Sequence, residues 1–167
     1  MGLLRRSFLF SVLSLFATPL WATTLPQPEG TVLITVSGSI SADNGDGVVQ
    51  FDRTMLEDLD WREVRTYTSF TTGEQVFQGP TLASLLTAVG ADGDTLKAIA
   101  INDYTVTIPA AHASEHGVIL AMDQNGRAMR VRDKGPIWVV YPLDETQAGQ
   151  QLFDAEMIWQ LNRIVVE

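Results

Sequence analysis

Short runs of β-branched and aromatic residues, separated by Gly, Pro, Asn and Asp, make up most of this chain. Runs of this kind, bounded by turn residues, are typical of strands. Strands are predicted over residues 31–36, 48–51, 64–68, 96–101, 104–108, 118–122, 127–131, 137–141 and 157–166. The apolar positions of the last run change parity near Asn162, which predicts a β-bulge there.

Helical spacing of apolar residues is confined to short segments. Asp52 can cap a helix over 53–59, and one or two turns are predicted over 109–115. The clearest helix is opened by residues 77–80, carries Pro80 in its first turn and ends at Gly90. Strands with interspersed short helices predict a single α+β domain over residues 31–167, with mixed β-sheets or a partial barrel.

The stretch 125–142 organises the predicted domain. Asn125-Gly126 supplies the two positive-φ positions of a tight hairpin. The run 137–141, bounded by Gly135-Pro136 and Pro142, is apolar on both alternating faces and is therefore predicted to be a fully covered strand.

The first 22 residues have the pattern of a signal peptide. Arg5-Arg6 form a positive region, residues 8–20 are apolar, and Leu20-Trp21-Ala22 resembles a cleavage site. The apolar run is short for a transmembrane span, so a retained anchor is the weaker interpretation. The prediction is a periplasmic or secreted protein with a flexible lead-in over 23–30 and no membrane insertion once the signal is removed. Both the general secretory and the twin-Arg route stay open.

Charge and cysteine content exclude several classes of function. Without Arg5 and Arg6 the chain carries 9 cations and 20 acids, a formal charge of −11. A surface this acidic repels nucleic acid and anionic lipid. The chain has no cysteine, so it has neither disulfides nor a thiolate for metal binding or nucleophilic catalysis.

Two polar segments are candidates for a binding site. The first is a set of four cations between the hairpin and the covered strand, Arg127, Arg130, Arg132 and Lys134. Alternation places Arg130 and Arg132 on one strand face, which suits an anion; the alternative is a solvated strand edge whose cations offset nearby carboxylates. The second is Asn102-Asp103-Tyr104, which fits either a functional turn or ordinary turn chemistry.

One sequence motif has the form of a metal site. His112-x-x-Glu115-His116 on a helix would place two imidazoles on one face beside a carboxylate, as zinc hydrolases require. Only about two turns of helix fit between Pro109 and Gly117, and no third ligand is marked downstream. A surface turn with two solvated histidines is the plainer interpretation. Trp138, Tyr141 and Trp159 likewise fit either the core or the lining of a ligand pocket.

Taken together, five segments of the chain resemble the molybdopterin-binding oxidoreductase domain of the sulfite oxidase type. They run in the family's order from about residue 31 to the C-terminus. The segments are Phe77-x-Gly79-Pro80-x-Leu82-x-x-Leu85-Leu86, Asn102-Asp103-Tyr104-x-x-x-Ile108-Pro109, Val118-Ile119-Leu120-Ala121-Met122-x-x-Asn125-Gly126, Gly135-Pro136-Ile137-x-Val139-Val140-x-Pro142 and Ile158-Trp159-Gln160-Leu161-x-x-Ile164. The resemblance implies that family's mixed α+β fold.

The departures from the family fall on its cofactor contacts. The resemblance implies a molybdenum-binding cysteine in the stretch 66–69, where this chain has Thr-Tyr-Thr-Ser. A hydroxyl does not replace a thiolate as a soft ligand. Trp138 stands where the family usually has Arg, Lys134 where it has His, and Ile158 where it has Lys.

This contrast predicts a fold that is kept and a molybdenum site that is lost. The leading hypothesis is a ligand-binding, partner-binding or sensory module without a cofactor, whose partner is a membrane-bound sensor or a redox protein. Its predicted site is the remnant cleft of Asn102, Tyr104, Arg130, Arg132, Lys134 and Trp138. The alternatives are an oxidoreductase that still holds molybdopterin through Arg130, Arg132 and Lys134, and a zinc hydrolase using His112, Glu115 and His116.

Overall fold

Thirteen strands, four short α-helices and one 3-10 turn form residues 23–167, the part of the chain that the computed structural model describes. The signal peptide predicted over 1–22 lies outside the described residues. The strands are β1 Thr23–Thr24, β2 Ile34–Gly38, β3 Ala42–Asp43, β4 Val49–Phe51, β5 Trp61–Thr66, β6 Gln75–Pro80, β7 Thr95–Ala100, β8 Thr105–Pro109, β9 Ile119–Ala121, β10 Asp123–Gln124, β11 Arg127–Ala128, β12 Trp138–Val140 and β13 Leu161–Val166. The helices are α1 Arg53–Glu57, α2 Leu82–Val89, α3 His112–Glu115 and α4 Glu145–Gly149, and the 3-10 turn covers Val131–Asp133.

The molecule is a mixed α/β protein, rich in strands and poor in helix, which agrees with the coarse prediction from sequence. Its sheets are open in the described part of the chain. The largest sheet has the strand order β4-β2-β13-β7-β8 and is antiparallel except where β13 runs parallel to β2. The predicted bulge is confirmed, because the pairing of β13 with β7 shifts register between Leu161 and Arg163.

The second sheet has the order β11-β10-β6-β5 and corrects the prediction for residues 77–80. These residues are not the first turn of a helix; they belong to β6, which pairs along its whole length with β5. Gly79 permits the close approach of β6 to β9, since a Cβ at this position would lie 2.0 Å from the Leu120 carbonyl oxygen. Pro80 ends the strand, and α2 begins two residues later.

The helices begin and end where short polar residues and glycine allow. Thr81 caps α2 by accepting the N–H of Ser84, and Gly90 ends it in the left-handed conformation at φ 59°. Asp52 caps α1 as predicted, accepting the N–H of Met55 at 3.0 Å. Its other carboxylate oxygen accepts the N–H groups of Glu29 and Gly30, so the predicted lead-in follows the surface of the domain up to this point.

The covered strand predicted over 137–141 is confirmed as the centre of the molecule. It forms β12, which pairs with β9, and its residues are fully buried. Side chains on one face, including Val139 and Leu120, join the main hydrophobic core. Those on the other face, Trp138 and Val140, join a smaller core with Phe77.

The tight hairpin at Asn125-Gly126 is also confirmed, with φ values of 50° and 74°. The strand that follows it is shorter than predicted, because β11 ends at Ala128 and the chain then enters the 3-10 turn. Arg130 precedes that turn and Arg132 lies within it. The prediction that both arginines share one strand face is therefore wrong.

Within residues 23–167, no helix is both long enough and apolar enough to span a bilayer.

Candidate functional site

A pocket of about 320 Å³ opens beside the β7–β8 turn, at the end of the largest sheet. We call it the tryptophan pocket. Its lining comes from the β7–β8 turn, from the loop after β5 and from the segment that precedes β13. The lining residues are Phe70, Ala100, Asn102, Tyr104, Asp154, Ala155, Met157, Ile158 and Trp159.

Asn102 and Tyr104, both predicted as site residues, lie in this pocket. The β7–β8 hairpin places them there, because Asp103 adopts φ 64° and the Asn102 side chain accepts the Tyr104 N–H at 3.2 Å. Tyr104 is 58% exposed and Trp159 is 38% exposed. Ile101, next to them in the same turn, is also exposed. Large apolar side chains gathered at a pocket mouth are typical of a binding surface.

Of the described residues that line this pocket, Asp154 alone is charged. Its Oδ2 accepts a hydrogen bond from the Ser69 hydroxyl at 2.5 Å. Its Oδ1 is buried and has no hydrogen-bond partner among the described residues. An unpaired carboxylate oxygen is costly in the folded state, so a group of this kind is often retained for binding.

Trp138, which the sequence placed in the ligand cleft, does not line this pocket. Its ring is fully buried, donates Nε1–H to the Met157 carbonyl at 3.0 Å and packs on Phe70, Phe77 and Trp159 with ring centroids 5.2–6.3 Å apart. It therefore forms the wall behind Phe70 and Trp159.

Lys134 also lies behind the pocket rather than in it. Its Nζ is 5.2 Å from the Trp138 ring centroid and 5.8 Å from that of Trp159. Both distances are within the range of a cation–π interaction. The lysine thus fills a space between aromatic rings, where the family that the sequence resembles usually has histidine.

Arg130 and Arg132 do not join the other predicted site residues. Their side chains are 64% and 70% exposed and lie on either side of Asp133, to which Arg130 donates at 2.6 Å. This pairing holds the pKa of the Asp133 carboxyl below its usual value. Arg130 and Arg127 border a second, wide depression of about 780 Å³ that is separate from the tryptophan pocket in its lining.

A second polar group, which we call the tyrosine cluster, surrounds the buried hydroxyl of Tyr141. It consists of His112, His116, Tyr141, Phe153 and Glu156. Tyr141 donates to Glu156 Oε2 at 2.6 Å, and His112 Nδ1 lies 3.0 Å from the same oxygen. Phe153 stacks on the Tyr141 ring with centroids 4.4 Å apart. Burial, and then the Glu156 carboxylate, raise the pKa of Tyr141 above its ordinary range, so this phenol stays protonated and donates.

His112, Glu115 and His116, the residues of the alternative zinc site, are not grouped as the H-x-x-E-H motif implies. His112 and His116 come together edge to face, 4.7 Å between centroids, but the carboxylate beside His112 is Glu156, and Glu115 is exposed. No group of three or more His, Cys, Asp or Glu side chains between residues 23 and 167 is arranged to hold a metal ion. Instead, His112 packs on the Tyr141 ring and His116 packs on Phe153.

The stretch 66–69 does not fit the molybdenum ligand that the resemblance implies. Thr66 is fully buried, and its Oγ1 accepts the Leu143 N–H at 2.7 Å and lies 3.0 Å from the Tyr141 carbonyl oxygen. Thr68 is paired with Thr71 at 2.9 Å, and Ser69 donates to Asp154. The hydroxyls of Thr66, Thr68 and Ser69 already serve the fold, so these three residues do not offer the site a metal ligand.

Sequence reasoning missed Asp154, Phe70 and Glu156. None of them belongs to a motif, and each is brought to its site by contacts between distant segments, such as the Ser69–Asp154 hydrogen bond. The aromatic Trp159, which follows the apolar pair Met157-Ile158, was a usable signal for the pocket, and it does form part of the pocket wall.

Comparison with known proteins finds no family model that matches this chain and no significant match to a curated protein.

Proposed function

We propose that this chain is an exported binding module, built on a sulfite-oxidase-type fold, that does not ligate molybdenum and instead binds a small ligand in the tryptophan pocket. Its partner would be a membrane-bound sensor or redox protein that responds to the occupied state. The proposal joins the sequence resemblance to the geometry of the described residues.

The observation that carries the proposal is the state of the three hydroxyls at 66, 68 and 69. Thr66 Oγ1 ties β5 to the chain after β12 through Tyr141 and Leu143, and the other two hydroxyls are hydrogen-bonded as well. A hydroxyl that is fully used in such backbone hydrogen bonds is not free to coordinate a metal. The aromatic contacts of Trp138 and Lys134 likewise fill positions that the resemblance assigns to polar cofactor contacts.

The open pocket supports binding as the remaining activity. About 320 Å³ is near the lower end of the range for small-molecule sites, and the lining combines aromatic walls with a few polar groups. Among the described residues, the pocket lining contains no His or Lys that could act with Asp154 as an acid–base pair. Recognition is therefore better supported than catalysis.

The alternative oxidoreductase requires Arg130, Arg132 and Lys134 to hold one pterin phosphate. The two arginines project into solvent around Asp133, whereas Lys134 lies over the tryptophans. This dispersion gives no specific support to that alternative.

The test is to produce the full chain in a host that synthesises and exports molybdopterin enzymes, and to measure molybdenum and pterin per chain. We expect both to be far below one per chain. The matched control is the same protein from a host that cannot make the cofactor, which we expect to unfold at the same temperature. A stoichiometric cofactor, or a lower unfolding temperature in the deficient host, would contradict the proposal.

A further inference from the structure

We infer that the ligand of the tryptophan pocket is a small organic cation, an ammonium compound held by aromatic faces and by the Asp154 carboxylate. This inference rests on the proposed function, because it names the ligand class of that same pocket. It follows from three features of the lining: its charge, its aromatic surface and its size.

The charge of the lining is negative. Among the described residues, Asp154 is the only ionisable acid or base in the lining besides the Tyr104 phenol. Its Oδ2 accepts from Ser69, and its Oδ1 is buried without a hydrogen-bond partner among those residues. The half-buried carboxylate on the wall of this apolar pocket favours, through its negative charge, a cation over an anion or a neutral compound. The formal charge of −9 on the whole chain adds long-range attraction for cations.

The aromatic surface suits the same kind of ligand. Phe70, Tyr104 and Trp159 contribute rings to one pocket, and Phe70 meets Trp159 edge to face at 5.1 Å. Aromatic faces attract ammonium groups, and tryptophan does so most strongly. The protein already uses this property, since the Lys134 ammonium lies 5.8 Å from the Trp159 centroid.

The size of the pocket limits the ligand to a compact molecule. About 320 Å³ accommodates a substituted ammonium headgroup with a short chain. Asn102 and the backbone of the β7–β8 turn supply neutral polar groups for a hydroxyl or carbonyl on that chain.

The experiment is calorimetric titration of the full chain with choline, a quaternary ammonium alcohol, and with 3,3-dimethylbutan-1-ol, its neutral isostere. We expect choline to bind at least about tenfold more tightly than the neutral alcohol, because only the cation gains from the carboxylate and the rings. Equal affinity for the two compounds, or no binding of choline at millimolar concentration, would overturn the inference. Equal affinity would still leave a ligand-binding module in place, and only the cofactor measurement above bears on the loss of molybdenum.

Variants locate the binding to the pocket. Asp154→Asn should weaken choline binding by roughly tenfold, whereas Asp92→Asn, which makes the same change of net charge at an exposed position outside the pocket, should not. Tyr104→Ala tests the aromatic wall at a 58% exposed residue, where truncation should leave the fold intact. It should also weaken choline binding severalfold. Unchanged affinity in both Asp154→Asn and Tyr104→Ala would overturn the assignment to this pocket.

Lys134 offers a test with the opposite sign. Its ammonium competes for the π surface of Trp159 and repels a bound cation, so Lys134→Gln should tighten choline binding by about two- to threefold. Weaker choline binding in this folded variant would contradict a cationic ligand.

Discussion

Asp154 and Glu156 are two carboxylates separated by one residue, and the fold uses them in opposite ways. Glu156 lies in the tyrosine cluster, where a single oxygen is within hydrogen-bonding distance of both the Tyr141 hydroxyl and His112. Asp154 lines the tryptophan pocket, where Oδ2 accepts from a serine and the buried Oδ1 has no partner within residues 23–167. The Glu156 carboxylate belongs to a satisfied internal network, and the Asp154 carboxylate is part of a pocket wall.

The difference shows how a structural acid can be told from a binding acid without a ligand. The tyrosine cluster and the tryptophan pocket both contain aromatic rings and a half-buried acid, so their residue types alone do not distinguish them. What separates them is whether the polar groups around the acid satisfy it. A network that is complete within the protein stabilises the fold, whereas a carboxylate on a pocket wall with an incomplete network brings its charge to a ligand in that pocket.

The largest difference in stability is expected between alanine variants of the two tyrosines, one in each region. Tyr141 is fully buried and stacks on Phe153, whereas Tyr104 is 58% exposed. Tyr141→Ala should therefore lower the free energy of unfolding by about 3–5 kcal/mol. Tyr104→Ala, its matched control, should change it by less than about 0.5 kcal/mol. Urea unfolding measures both, and similar losses in the two variants would remove the distinction between the closed and the open region.

The second largest loss of stability is expected at Thr66, which is hydrogen-bonded to the backbone of Tyr141 and Leu143 beside the tyrosine cluster. Thr66→Val keeps the shape but leaves the buried Leu143 N–H and the Tyr141 carbonyl without this partner. We expect a loss of about 1–3 kcal/mol in the free energy of unfolding. Thr107→Val, at an exposed position of β8, is the control and should be nearly neutral. If Thr66→Val were also neutral, the hydroxyl would be free of the structural role that argues against metal binding.

The smallest effect is a change in alkaline stability. The pKa of Tyr141 is raised by burial and by Glu156, so the folded state holds this proton more tightly than the unfolded state. Stability from this group is complete below the ordinary tyrosine pKa of about 10 and falls as pH rises above it, by at most about 1.4 kcal/mol per pH unit. Tyr141→Phe should reduce this slope, and Tyr104→Phe should not. An unchanged slope in Tyr141→Phe would mean that this hydroxyl is not held in the closed network.

The sequence predicted best the features that depend on neighbouring residues. The Asn125-Gly126 hairpin, the Asp52 cap, the bulge near Asn162 and the covered strand all follow from local conformational preference or from apolar periodicity. These features have a chemical cause within a few residues of chain.

The errors have non-local causes. Gly79-Pro80 resembles a helix start, yet these residues form a strand because β5 pairs with them and β9 approaches closely. Arg130 and Arg132 leave the predicted strand because Asp133 and Gly135 donate their N–H groups back to the Arg130 carbonyl and form a turn.

The candidate site was predicted only in part for the same reason. Asn102 and Tyr104 lie on a hairpin that local chemistry specifies, and they do line the pocket. Asp154 lies in an irregular segment. It reaches the pocket through its hydrogen bond with Ser69, 85 positions away in the chain, and shares the lining with Phe70 of the same loop.

The most direct test of the divided roles compares Asp154→Asn with Glu156→Gln in two measurements, choline affinity by calorimetry and free energy of unfolding in urea. We predict that Asp154→Asn weakens choline binding about tenfold with a change in stability below about 0.5 kcal/mol. We predict that Glu156→Gln lowers stability by about 1–3 kcal/mol and leaves affinity unchanged. The same pattern of losses in both variants, or the reverse pattern, would contradict the account.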